Sequence, residues 1–260
     1  MKKGLVIYDE ADIEKNKGYI NWLIEEGVNY KFNIELCTLN EGYNKTEEKY
    51  DFIINRSRDY KLSKEFEKNN IRTFNNSEFC RLGNDKKLAY EFIEELKIEY
   101  PKIFVNEEEI KDNTLKIVKP RDGHGGLGIR LYKEEAIDIN KNIYQEFIKD
   151  YIGDIRFYVI NNEITHSVIR KPKEKSLVSN FTQGGEVTIY NIKEEDKEII
   201  NKILKKIHID YGGVDFLLLN DGTILFNEFE DAVGSRMLSY LGINNTMELF
   251  LSHISKEVNK

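Results

Sequence analysis

The sequence predicts an α/β unit followed by an α+β region built on antiparallel sheets, and three observations lead there. Up to residue 80, short apolar runs alternate with stretches of helical periodicity, the pattern of parallel βαβ units. From residue 115 onward most segments read as strands with few helices between them, which favours antiparallel sheets. Towards the C-terminal end, Asp221-Gly222 separates two apolar runs, a favoured signal for a two-residue hairpin loop.

The elements follow in order. Residues 4–8, Gly-Leu-Val-Ile-Tyr, form a short apolar run expected of a buried first strand. Ile20, Leu23, Ile24 and Val28 recur at helical spacing and predict a helix over 19–28. Strands at 34–37, 51–54 and 71–74, with a helix at 61–69, complete the first unit. Asn84 is placed to cap a helix over 85–97 whose Leu88, Phe92, Ile93 and Leu96 share one face. Strands are then expected at 115–119, 128–132, 143–148, 155–160, 163–170, 212–219 and 223–229. A helix carrying Ile199, Ile200, Ile203, Leu204 and Ile207 interrupts them, and another closes the chain at 246–258. The change of style places a domain boundary inside 80–113, drawn here as 1–83 and 84–260.

Composition excludes several classes of function. With 14 Phe, 15 Tyr and long aliphatic runs, the chain can bury a core and is not disordered. Acidic residues outnumber basic ones, 46 to 39, for a net charge of −7. Tracking a phosphate backbone needs the opposite balance, so no nucleic-acid partner is expected. Cys37 and Cys80 stand far apart with no metal-binding spacing, and read as small buried apolar residues. The run Leu5-Val6-Ile7-Tyr8 stops at Asp9, too short for a secretory core or a membrane span. A soluble, cytoplasmic protein with no membrane partner is expected.

The densest glycine cluster is Lys119-Pro120-Arg121-Asp122-Gly123-His124-Gly125-Gly126-Leu127-Gly128. It satisfies GxGxxG, but a dinucleotide fingerprint opens a helix, and here Ile129-Arg130-Leu131-Tyr132 reads as a strand. The Walker lysine is also missing. What remains is a glycine-rich hairpin tip whose backbone N–H groups can fold over phosphates with no side chain in the way. Lys119, ending the incoming strand, adds a cation beside them. The competing reading, a flexible surface turn, does not need so many glycines.

If Asp221-Gly222 is the hairpin loop, Leu219 pairs with Ile224 and, further along, Asp215 pairs with Glu228. Glu230 then points to the same face beside Gly213, with Leu217, Leu219, Ile224 and Phe226, and Asn227 points to the opposite face. The strand pair is apolar on both faces and therefore buried, so three like charges at one end repel strongly. Shared protons or a bound cation relieve the repulsion. Three oxygen ligands without Cys or His suit Mg²⁺ or Mn²⁺. A one-residue slip of register removes the arrangement.

Taken in order, the motifs resemble the ATP-grasp enzymes, most closely the RimK-like carboxylate–amine ligases. They are Asn84-Asp85-Lys86 opening a helix, Val118-Lys119-Pro120 with the glycine hairpin, Gln145-Glu146-Phe147-Ile148, Gly153-Asp154-Ile155-Arg156, Asn180 with Gly184-Gly185, Gly213-Val214-Asp215, and Glu228-Phe229-Glu230-Asp231-Ala232-Val233-Gly234. The resemblance covers nearly the whole chain, residues 4–80 being similar to the family's small preceding domain. It implies that Lys86 and Lys119 hold ATP phosphates. Gly125, Gly126 and Gly128 then belong to a mobile lid in a central subdomain over 113–148. Glu146, Phe147 and Ile148 meet the adenine, and Asp154 the ribose. Asp215, Glu228 and Glu230 are implied to hold two Mg²⁺ ions, Mn²⁺ being the alternative. Two positions depart from the family pattern: Glu230 stands where asparagine is usual, and Val233 where proline is usual. The first keeps an oxygen ligand; the second bears on the loop that follows and on the acceptor site.

The implied chemistry is attack of a substrate carboxylate on the γ-phosphate of ATP, then displacement of phosphate from the acyl phosphate by an amine. Magnesium and cations neutralise the charge spread over the transferring group. Arg170 and Arg156 are the candidate cations at the acyl phosphate, and Asn180 the residue that orients substrate or phosphate. Arg236 is a further candidate for a substrate carboxylate, and Lys171, Lys173 and Lys175 for a basic rim. His124 is read as a passive residue at the lid tip, and His166, His208 and His253 as structural or exposed. The expected substrate is an amino acid, a peptide or a similar small molecule, and oligomerisation is left open. Two other readings compete: a nucleotide-binding ATP-grasp protein with a structural role, and a phosphotransferase that stops at phosphorylation.

Overall fold

The computed structural model describes residues 1–171 and 186–260. The N-terminal sheet is parallel: β1 (Lys2–Tyr8), β2 (Phe32–Thr38), β3 (Phe52–Asn55) and β4 (Arg72–Phe74) lie in the order β2-β1-β3-β4. The connecting helices are α1 (Glu10–Gly27), α2 (Leu39–Asn44) and α3 (Tyr60–Lys68). Helix α1 starts well before the expected residue 19, because its first half is mostly charged and exposed and so lacks apolar periodicity. Glu10 and Asp12 in its first turn suit the positive end of the helix dipole. Helix α2 also lacks that periodicity; its start is set by a capping box between Thr38 and Glu41.

Helices α4 (Ser77–Gly83) and α5 (Lys86–Glu95) follow in close succession. The expected cap at Asn84 is corrected. Asn84 Nδ2 donates back to the Cys80 carbonyl at 2.8 Å, while Asp85 accepts from the N–H groups of Lys87 and Leu88. The reason is backbone conformation: an N-cap needs an extended residue, and Asp85 has it (φ −140°, ψ 97°) where Asn84 does not (φ −114°, ψ 9°).

A small antiparallel sheet comes next. It contains β5 (Ile103–Phe104), then, after α6 (Glu107–Lys111), β6 (Lys116–Pro120), β7 (Arg130–Leu131) and β8 (Asn142–Glu146), in the order β5-β8-β6-β7. Strand β7 is shorter than the expected 128–132, and β5 joins the sheet from outside 113–148. The third sheet is antiparallel in the order β11-β10-β9-β12-β13. Its strands are β9 (Tyr151–Ile160), β10 (Glu163–Lys171), β11 (Glu186–Ile189), β12 (Tyr211–Leu219) and β13 (Ile224–Glu230), with α7 (Glu194–Leu204) before β12. Helices α8 (Arg236–Tyr240) and α9 (Thr246–Val258) follow.

One core packs Phe157, Phe216 and Phe226 of the third sheet against Ile93 of α5 and Ile203 of α7. Another joins Phe52 and Phe74 of the parallel sheet to Tyr211 of β12 and Phe250 and Ile254 of α9. Each such aromatic contributes about 1.5–3 kcal/mol by leaving water, so the parallel sheet is fastened to the rest by a shared apolar interior. Cys37 and Cys80 are buried free thiols. Among the described residues no helix is long and apolar enough to cross a membrane.

Candidate nucleotide and metal site

Asp215 pairs with Glu228 and Gly213 with Glu230, as expected, but the strands reach this register by another route. Near the turn Leu218, not Leu219, opposes Ile224, so the loop is longer than the expected two-residue turn. A bulge then leaves Asn227 unpaired: Phe216 opposes Phe226, and the next pair is Asp215 with Glu228. Two face assignments are thereby corrected. Ile224 and Phe226 lie with Phe216 and Leu218 in the core, not beside the carboxylates. Asn227, expected on the opposite face, turns into the site: its Oδ1 accepts from Lys119 Nζ at 2.8 Å, and its Nδ2 lies 3.5 Å from Asp154.

One carboxylate oxygen from each of Asp215, Glu228 and Glu230 lies within 4.8 Å of the others. Their repulsion is relieved in a way the sequence reading did not consider. Arg156, opposite Asp215 on β9, donates through Nε and Nη2 to both oxygens of Asp215 at 2.8 and 2.7 Å, and also to Glu230. Arg170 on β10 donates to Asp215 at 2.6 Å and is ion-paired with Asp154 at 2.8 Å. Burial opposes the charge on Asp215, yet the two guanidinium groups outweigh it and hold the carboxyl below its ordinary range. At Asp154 burial wins over Arg170 and pushes the carboxyl up. Charge repulsion alone therefore does not demand a metal. The donor set still fits one: three hard oxygens on one face, two of them on side chains 29% and 33% exposed, suit Mg²⁺ or Mn²⁺.

Lys119 and Ile117 share one face of β6, and line a narrow pocket with Gly126, Glu146, Phe147, Ile148 and Asp154. Lys86, at the first turn of α5, donates to the Gly123 carbonyl and lies 3.5 Å from Glu228, so it links the glycine hairpin to the carboxylates. Gly125, Gly126 and Gly128 all take positive φ, 61°, 76° and 75°, which favours glycine. Gly125 lines the neighbouring cleft. Gly128 lines neither cavity; a Cβ there would come 2.7 Å from Pro120 Cγ, so its place is against the base of the hairpin. Asn180, Lys173, Lys175, Gly184 and Gly185 lie outside the described residues.

Beyond the carboxylates, a cleft of about 800 Å³ opens between the hairpin, α1 and the loop after β13. Tyr19, Trp22, Arg56, Arg156, Glu230 and Ser235 are among its walls. The loop after β13 is well held despite valine in place of proline: Val233 is fully buried, and Arg56 donates to the Ala232 and Val233 carbonyls at 2.8 Å. Arg236 contacts α1, donating to Lys15 and Asn16 at 3.4 and 3.5 Å. His124 stands near Arg58 and Asp12 of the cleft, where burial and Arg58 push its pKa down. Sequence reading missed Asn227 and Arg56. A bulge is invisible to periodicity, and Arg56 is remote in sequence from the loop that it holds. It also missed partners for two histidines: His253 and His208 approach Asp210 Oδ1 at 2.7 and 3.1 Å, joined by Arg72 at 2.5 Å.

A family model of the RimK-like ATP-grasp domain matches residues 60–252. The uncharacterized protein MG011 of Mycoplasma genitalium is 30% identical over 98% of this chain and 93% of its own length. A ribosomal protein bS6–L-glutamate ligase of Escherichia coli is 32% identical over 42% of this chain and 40% of its own. Among solved structures, D-cycloserine synthetase DcsG superposes with a TM-score of 0.76 over 98% of this chain and 99% of that one, at 12% identity. At that identity the match speaks for the ATP-grasp fold, which the sheet order above displays.

Proposed function

The chain belongs to the RimK-like ATP-grasp family, and from that premise we propose that it joins a substrate carboxylate to an amine at the expense of ATP. The reading includes an acyl phosphate formed and consumed on the enzyme, with ADP and phosphate released. The observation that carries it is the convergence of Asp215, Glu228 and Glu230 beside a pocket holding Lys119, with Lys86 tying the glycine hairpin to Glu228. In this reading Glu146, Phe147 and Ile148 receive the adenine, Asp154 the ribose, and Lys86 and Lys119 the phosphates. Asp215, Glu228 and Glu230 would hold Mg²⁺, two ions or Mn²⁺ in their place, and the ions would neutralise charge on the transferring phosphoryl group. Arg156 and Arg170 already neutralise Asp215 at the cleft wall, and we assign them the same service toward the acyl phosphate. The substrate class, an amino acid, a peptide or a similar small molecule, takes its support from the Escherichia coli relative, whose name gives it glutamate and a ribosomal protein.

The deciding experiment incubates the protein with Mg-ATP and pools of amino acids and peptides. Release of ADP and phosphate with an amide product is the expected result. Nucleotide binding without turnover would favour a structural role, and a stable phosphorylated product a phosphotransferase.

Lys119 supplies a second test. Burial, aided by Lys86 and opposed by Glu228, pushes its pKa down to about 8. A polyphosphate favours the charged amine, so binding near that pH should draw in a proton, and affinity should fall as pH rises through it. Calorimetry of Mg-ATP binding in buffers of different ionisation heat measures the uptake, which Lys119→Met should lose. Heats that do not depend on the buffer would remove Lys119 from the phosphate site.

A further inference from the structure

The buried arginines of the cleft differ in one respect. Arg156 and Arg170 each face carboxylates, and so does the half-exposed Arg58, which meets Asp9 and Asp12 at 3.2 and 2.6 Å. Arg56 is 8% exposed, and among the described residues no carboxylate stands within ion-pair distance of it. Its Nη2 is occupied by two carbonyls, while its Nε, although buried, makes no hydrogen bond. Asp231 acts on it through space, without an ion pair between them. The guanidinium lies 4.7 Å from the ring centre of Tyr19 and 5.8 Å from that of Tyr8, contacts that offset part of its lost hydration. The hydroxyls of these two tyrosines are likewise buried without a partner. All three residues line the cleft.

A buried guanidinium with no paired carboxylate and an unpartnered Nε, beside two buried hydroxyls without acceptors, is costly unless an acceptor completes the group. We propose that Arg56, with the hydroxyls of Tyr8 and Tyr19, forms a carboxylate-binding subsite on the N-terminal wall of the cleft. A single guanidinium with two neutral donors matches the one charge and two oxygens of a carboxylate. A phosphate dianion would leave charge unbalanced. That this carboxylate is carried by the substrate, and is not the one activated beside Asp215, rests on the ligase reading; the subsite itself does not. It makes the enzyme selective for substrates that bear an additional acidic group at the far end of the cleft.

The test needs neither nucleotide nor turnover, so it fails or succeeds independently of that reading. The intact protein, labelled with ¹⁵N-arginine, is titrated with sodium acetate while the Nε–H resonances are followed, Arg56→Lys providing the assignment. The Arg56 resonance is expected to move and saturate in the roughly millimolar range appropriate to so small a ligand. Acetamide and sodium chloride should leave it in place. Tyr8→Phe and Tyr19→Phe, which keep the rings and the fold, should each weaken the acetate response several-fold. An Arg56 signal indifferent to acetate, equally moved by acetamide or chloride, or unchanged in affinity in both phenylalanine variants overturns the proposal. A response to inorganic phosphate stronger than to acetate also overturns the assignment to carboxylate.

Discussion

The Glu228→Gln protein is expected to fold normally and to release ADP at least about a hundredfold more slowly than the wild type, the usual scale for losing one preorganised electrostatic contact to a transferring group. Glu228 faces Asp215 across the hairpin, and its side chain is 29% exposed, so an isosteric amide disturbs no apolar packing. What changes is charge. Lys86, 3.5 Å away, loses its counter-charge, and the proposed ions keep two carboxylates where they had three. The melting temperature should move by no more than a few degrees, since for a chain near this size about 1 kcal/mol corresponds to roughly 2–4 °C. Near-normal ADP release at saturating Mg²⁺ would contradict the metal assignment, and a collapse in melting temperature would mean that the carboxylate serves the fold.

The two-residue period of a strand, counted from a two-residue turn at Asp221-Gly222, predicts the facing of Asp215 and Glu228 that the structure has, although the turn itself is different. The route to it could not be read from the sequence. The loop places Leu218 opposite Ile224, and the bulge at Asn227 restores the lost residue, so two departures from the simple ladder offset each other at Glu228. What decides this is packing. Phe216 and Phe226 meet at 5.7 Å, and Phe226 lies 4.8 Å from Phe229, within a core that the hairpin alone does not contain. The same limit hid the arginines. Arg156 and Asp215 are cross-strand neighbours, as are Arg170 and Asp154, but only once β9 is known to lie between β10 and β12. The order of motifs named the lysines and the glycine hairpin, and the structure brings Lys119, Gly126 and residues 146–148 to one pocket. Helix α1 was half legible because its exposed first turns carry charge where the periodicity test looks for apolar residues. Arg56 was not legible at all: its partners are backbone carbonyls of Ala232 and Val233, which leave no mark in side-chain identity.

Asp215 and Arg156 also make a stability prediction that separates a metal site from a mere ion-pair network. Arg156→Met should lower the unfolding free energy by about 3–5 kcal/mol, the range seen when one partner of a buried pair is removed. Its side chain is 8% exposed and that of Asp215 not at all, so solvent screens little of this. Asp215→Asn in the Arg156→Met background should restore much of the loss, because no buried carboxylate is then left short of its counter-charge. The pH dependence has a definite sign. In the wild type Asp215 is held below its ordinary range, so its contribution is present above the unfolded pKa and is lost as pH falls through the lower, folded value. In Arg156→Met burial is opposed by Arg170 alone, the folded pKa rises, and acid relieves the strain instead. The difference between the two proteins should therefore shrink as the buffer is taken from about pH 7 towards the carboxylate range. Urea unfolding of the four proteins of this cycle across that range measures both effects. Strictly additive substitutions, or a difference that does not change with pH, would mean that Arg156 does not neutralise Asp215. Recovery of stability in the double variant without recovery of ADP release would assign the pair to the chemistry as well as to the fold.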